Sequence, residues 1–211
     1  MKIKDPVSAL THFVGAVLSC VAVVALILRA VELGSPLHIV SFAVFGLSLV
    51  GLYTASTVYH MIDKPEAMRQ VFRRVDHMMI FVLIAGTYTP ICLIALHGKT
   101  GYTLFAIIWA VAISGIIMKA FWINAPRWLT AGLYILMGWL VIIAIQPIIS
   151  ALPVQGFRWL FAGGVVYTIG GIIYALKWPL KNNQWFGFHE LFHLFVLGGS
   201  FCHFVLIIAY I

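Results

Sequence analysis

The chain has 211 residues, 63% of them hydrophobic and 9% charged, with a formal net charge of +7 at pH 7. A soluble domain carries roughly 25% charged residues, so this composition excludes a soluble globular fold, and with it a nucleic-acid-binding role for the positive charge. The bilayer core is about 30 Å thick and is crossed by about 20 apolar residues in a helix, so the chain is expected to be an all-α integral membrane protein, one membrane domain over 1–211.

The start, Met1-Lys2-Ile3-Lys4-Asp5-Pro6, is basic like a signal peptide. The apolar run behind it is too long for a signal h-region and lacks a cleavage site, so it reads as a retained first span. Apolar runs then follow at 9–31, 38–59, 76–96, 102–121, 128–149, 157–176 and 188–210, which predicts a seven-transmembrane helix bundle. None alternates every second residue, as strands of a barrel would. Connectors such as Gly34-Ser35-Pro36 and Gly98-Lys99-Thr100-Gly101 carry turn residues, so sequential helices should pack antiparallel.

Ten of the thirteen Lys and Arg fall on one set of alternate connectors, including Lys64, Arg69, Arg73, Lys119 and Arg127; Arg29, Lys99 and Arg158 fall on the other. The positive-inside rule then puts the N-terminus in the cytoplasm and the C-terminus outside. The longest connector, 61–75, has Pro65 followed by Met68, Val71, Phe72 and Val75 at helical spacing, and is expected to lie along the interface before turning inward. Trp122, Trp128, Trp178 and Trp185 flank the spans as interface anchors. Cys20, Cys92 and Cys202 lie in apolar runs without a metal-binding spacing and read as small buried hydrophobes.

Ionisable groups in membrane spans are costly, so each is a functional hypothesis. His60 ends the second span, Asp76 opens the third, and His189 and His193 open the seventh, all on the cytoplasmic side of the predicted topology. His189 and His193, four residues apart, share a helical face with Cβ atoms about 6 Å apart; Ser56 and His60 repeat the spacing. Three neutral imidazoles leave a fourth tetrahedral position open, the pattern of a catalytic zinc, while magnesium or calcium would want more oxygen ligands. Asp76 and Ser56 could then hydrogen-bond a water at that position.

Plainer readings compete. A single His-x3-His can serve interhelical hydrogen bonding, Ser56 can bond to its own helix, and Asp76 can pair with Arg73 or Arg74. His12, on the same side, suits either a donor behind the ligands or interface packing. His77 and Glu190 point off the shared face, His38 and His97 fall on the outer side, and His203, 14 residues beyond His189, is about 21 Å deeper. That last pair has the spacing of stacked di-haem helices, but no facing helix carries a matching pair.

Ser56-x3-His60, then Asp76, with His189-x3-His193 in the last span, resembles the progestin and adiponectin receptor superfamily, and the short seven-span chain is similar to its bacterial haemolysin III branch. The family's first motif, Glu-x2-Asn-x3-His, resembles Asp5-x2-Ser8-x3-His12, with two of three positions altered. The resemblance implies a bacterial cytoplasmic (inner) membrane, a zinc ion held by His60, His189 and His193, with Asp76 and Ser56 on its water, hydrolysis of a lipid amide, and a part in membrane lipid homeostasis. Two functions are therefore expected to compete: a zinc-dependent intramembrane hydrolase acting on lipids, with Asp76 as proton acceptor, and a lipid sensor with a structural zinc. A literal haemolysin-like pore is disfavoured by the shortage of charge elsewhere in the spans.

Overall fold

The computed structural model describes residues 3–180 and 186–211; Lys2, Lys181 and Trp185 of the sequence reading lie outside them. Among the described residues the chain is helical without strands: α1 (Pro6–Glu32), α2 (Pro36–Met61), α3 (Glu66–Pro90), α4 (Gly98–Phe121), α5 (Arg127–Gly138), α6 (Ile145–Ala151), α7 (Val154–Leu176) and α8 (Phe188–Tyr210). A π-helical turn, Ile91–Ala95, extends α3, and a 3-10 turn, Leu140–Ala144, joins α5 to α6. With these turns counted into their spans, seven helical stretches among the described residues are long and apolar enough to cross a membrane.

Proline starts α1 and α2 at the first helical position, where its missing N–H costs nothing. Gly34, at a φ of 69°, takes the left-handed conformation that the short turn between them needs. The third span departs from the expected interface segment. It is one helix from Glu66 onward, because no residue between 66 and 89 breaks the helical ladder, and its first turns expose Met68, Val71 and Val75.

The fifth span is broken for an identifiable reason. The Tyr88 hydroxyl donates to the carbonyl of Gly138 (2.7 Å) and accepts from the N–H of Val141 (2.8 Å), so a side chain from α3 satisfies backbone groups that the ladder would otherwise have used. Pro147 in α6 has no N–H to continue that ladder upstream.

Helices α1, α2, α3, α5, α7 and α8 close into a ring, each packed on the next, and α4 lies outside against α3. Gly101 permits that last approach, since a Cβ there would sit 2.1 Å from the carbonyl oxygen of Cys92. Phe42, Phe45, Phe81, Ile108 and Leu206 are fully or almost fully buried between helices. Outward, Phe13, Val21, Val24 and Leu28 of α1 are more than half exposed. Such a continuous apolar surface is suited to acyl chains and not to water. The ring encloses an elongated cavity with walls from all six helices, running from His189 at one end of the bundle to His203 deep within it.

Candidate metal centre

At the end of the ring where α1 begins, α2 ends and α8 begins, the imidazoles of His60, His189 and His193 converge, with one ligand-capable atom of each within 4.8 Å of the others. His60 and His193 are buried and His189 is half-buried. The Nε2 atoms of His60 and His189 are 3.3 Å apart. The four-residue spacing puts His189 and His193 one turn apart on α8, their ring centroids separated by 4.6 Å.

The tautomers follow from the neighbours. His60 Nδ1 lies 3.0 Å from a carboxylate oxygen of Asp5, and the hydrogen bond from His60 holds the Asp5 carboxyl down to about 2, with Lys4 assisting against partial burial. An ionised carboxylate only accepts, so Nδ1 of His60 carries the proton and Nε2 presents its lone pair to the cluster. The backbone N–H of Asp5 donates in turn to the His60 carbonyl (3.1 Å), a second tie between the start of α1 and the end of α2. On His193, Nδ1 lies 3.2 Å from the Thr11 hydroxyl. That hydroxyl spends its hydrogen on the Ser8 carbonyl (2.9 Å), so Nδ1 of His193 donates and its Nε2 is the available ligand atom.

A second layer locks the helices around the histidines. Ser8, fully buried, donates to Glu190 at 2.5 Å, and the other oxygen of Glu190 accepts from the N–H of Gly187 (2.9 Å), capping α8. His12 stacks on His193 with ring centroids 3.6 Å apart and planes 11° from parallel. Its Nδ1 meets the Ser56 hydroxyl at 2.7 Å, and its Nε2 is buried with no hydrogen-bond partner among the described residues. His12 is thus buried inside the bundle and not at an interface, and its hydrogen bond goes to Ser56, while it meets His193 by stacking.

The expected residues fall as follows. His60, His189 and His193 meet; Ser56 and Asp76 are buried and stand in the wall of the cavity that the histidines head. Among the described residues no ion pair joins Asp76 to Arg73 or Arg74; Arg73 reaches Asn124 instead. His77 lines the same cavity without joining the cluster, and its Nδ1 is buried and unpartnered among the described residues. His38 and His97 sit at the far ends of α2 and α3. Asp5, Ser8, Thr11 and Glu190 carry hydrogen-bonding roles that spacing alone did not assign, although Asp5, Ser8 and His12 do recur at helical intervals on one face.

The sequence comparisons agree with this architecture. A family profile described as "Haemolysin-III related" matches residues 1–204. "Hemolysin-3" of Bacillus cereus is 42% identical over 208 residues, covering 99% of this chain and 92% of that protein. "Hemolysin-3 homolog" of Bacillus subtilis (strain 168) is 41% identical over 209 residues, covering 99% and 95%. The human "Monocyte to macrophage differentiation factor" is 25% identical over 173 residues, covering 80% of this chain and 69% of that protein. A match along nearly the whole chain, on a seven-helix membrane fold with a three-histidine cluster, makes the chain a member of the haemolysin III family.

Proposed function

We propose that this protein is a zinc-dependent intramembrane hydrolase that cleaves an amide or ester of a bilayer lipid and so contributes to membrane lipid homeostasis. The observation that carries the proposal is the convergence of three imidazoles at the head of a mainly apolar cavity whose wall also holds Asp76 and Ser56. Three imidazoles are a donor set that suits zinc: the His60 and His189 Nε2 atoms are 3.3 Å apart, about the edge of a tetrahedron with ligands at about 2.0–2.1 Å, and the three ligand-capable atoms lie within 4.8 Å of one another. The carboxylate behind His60 is the usual orienting partner of a metal-binding imidazole.

Bound there, zinc supplies a Lewis acid to a carbonyl and brings the pKa of a water to about 7. The chain's own groups do the rest. The cavity takes the acyl chain and keeps bulk water from the reacting carbonyl. Asp76, buried and without an ion-pair partner among the described residues, accepts the proton of the attacking water. Ser56, in the same cavity wall with its hydroxyl against His12 Nδ1, orients the lipid's polar group.

The test presents reconstituted protein with long-chain acyl amides and esters and follows released fatty acid. Wild type is expected to release acid and His189→Ala is not. Equal release by the two, with wild type fully loaded with zinc, would set the hydrolase aside in favour of a lipid sensor with a structural metal. The relative's name Hemolysin-3 invites a pore, yet the cavity walls are mostly apolar, whereas water-filled paths are lined by polar groups.

The same proposal includes orientation: the basic connectors favour a cytoplasmic N-terminus and histidine cluster and an outer C-terminus. A phosphatase reporter fused after Ile211 is expected to be active outside the cytoplasm and one inserted between Met61 and Glu66 inactive. The reverse pattern would turn the site to the other face.

A further inference from the structure

His203 is used by none of the chemistry above, and it is the histidine in the deepest part of the molecule that faces open space. It lies ten residues beyond His193 on α8, about 15 Å further along the axis, and 14 beyond His189, within about 40° of the same helical face. The ring is buried at 6% exposure and lines the cavity below the histidine cluster and a second cavity that continues from it between α3, the fifth span and α7.

Its surroundings fix both its position and its tautomer. The ring lies against Gly163 of α7, where a Cβ would come within 2.3 Å of Cε1, and stacks on Tyr167 with centroids 5.4 Å apart. Its Nδ1 is 2.8 Å from the carbonyl of Gly199. A carbonyl cannot donate, so Nδ1 bears the hydrogen, and in the neutral ring Nε2 is a pure acceptor. No protein donor meets it among the described residues. The polar neighbours at this depth have their hydrogens committed: Thr87 to Leu83 (2.8 Å), Tyr88 to Gly138 (2.7 Å) and Trp139 to Thr168 (2.8 Å). An unpartnered acceptor far inside a membrane is costly unless a ligand supplies the donor.

We propose that His203 is a specificity-determining contact that accepts a hydrogen bond from a hydroxyl carried near the far end of a lipid acyl chain lying in the cavity. The site thus selects hydroxylated acyl chains over plain ones. This rests on the reading of the cavity as an acyl-chain site. Carbon–carbon bonds of about 1.5 Å in a zigzag advance about 1.3 Å each, so the 15 Å or so between cluster and His203 corresponds to a chain of roughly a dozen carbons.

Calorimetry on zinc-loaded protein in nanodiscs, titrated with dodecanoic acid and ω-hydroxydodecanoic acid, tests the contact without requiring turnover. One hydrogen bond is worth roughly a three- to ten-fold preference, and wild type is expected to bind the hydroxy acid more tightly by that factor. An ω-oxo acid ester, which accepts but cannot donate, should gain nothing. His203→Phe, which keeps the ring against Gly163 and removes both nitrogens, is expected to bind dodecanoic acid as wild type does and to lose the preference. His203→Gln, with its amide oxygen near the place of Nε2, is expected to restore it. Equal binding of the two acids by wild type, or a preference that survives in His203→Phe, overturns the contact and leaves the cavity reading intact. Failure of wild type to bind either acid overturns both.

Discussion

Replacing Asp76 by Asn is expected to lower lipid turnover by about 10²–10⁴-fold, the usual worth of a positioned proton acceptor, while zinc stays bound. Asn matches the carboxylate in shape and still accepts a hydrogen bond, but it cannot take a proton. Asp76 is suited to the task because it is buried in the wall beneath the histidine cluster, and among the described residues no arginine or lysine pairs with it. The assay must be run at saturating zinc, since loss of an outer hydrogen bond can itself weaken metal binding about 10–100-fold. A variant that keeps more than half the wild-type rate would show that the proton goes elsewhere. Ser56 and His77, in the same wall, would be the next groups to replace.

The second large effect concerns the metal. His60→Ala, His189→Ala and His193→Ala should each strip most of the zinc, because two imidazoles remain where three converge. His38→Ala and His97→Ala should leave zinc content unchanged, since those residues begin α2 and follow α3 at the opposite end of the bundle. Asp5→Asn separates a carboxylate that orients a ligand from one that is merely nearby. It removes the charge against which His60 Nδ1 donates at 3.0 Å and should weaken zinc binding about 10–100-fold without abolishing it. Affinity unchanged in Asp5→Asn would mean that the backbone tie from Asp5 to the His60 carbonyl alone sets the ring.

Much of the fold is legible in the sequence, because a lipid solvent demands runs of about 20 apolar residues and turn residues mark where they end. The breaks are not. The 3-10 turn in the fifth span depends on Tyr88, some fifty residues away, reaching the backbone at Gly138 and Val141, and no local pattern announces such an insertion. The continuity of the third span was hidden by Arg73, Arg74 and Asp76, which look like the edge of a membrane segment yet sit within one unbroken helix.

The convergence of the three histidines was legible because helical spacing and the alternation of spans bring His60, His189 and His193 to one depth. The groups that orient it were harder to see. Glu190 points away from the His189 and His193 face and acts through Ser8 and the capped start of α8, a role set by where α1 enters the bundle. Thr11 becomes meaningful only once its hydroxyl is seen to spend its hydrogen on Ser8 and thereby fix the His193 tautomer.

X-ray absorption at the zinc edge, recorded on purified wild type carrying one equivalent of zinc, addresses the metal centre directly. Three imidazole nitrogens at about 2.0–2.1 Å with one further light ligand are expected, and the imidazole scattering should fall away in His193→Ala together with the bound zinc. Sulfur at about 2.3 Å, or one full equivalent of zinc in an unchanged environment in His193→Ala, would contradict a site built from His60, His189 and His193.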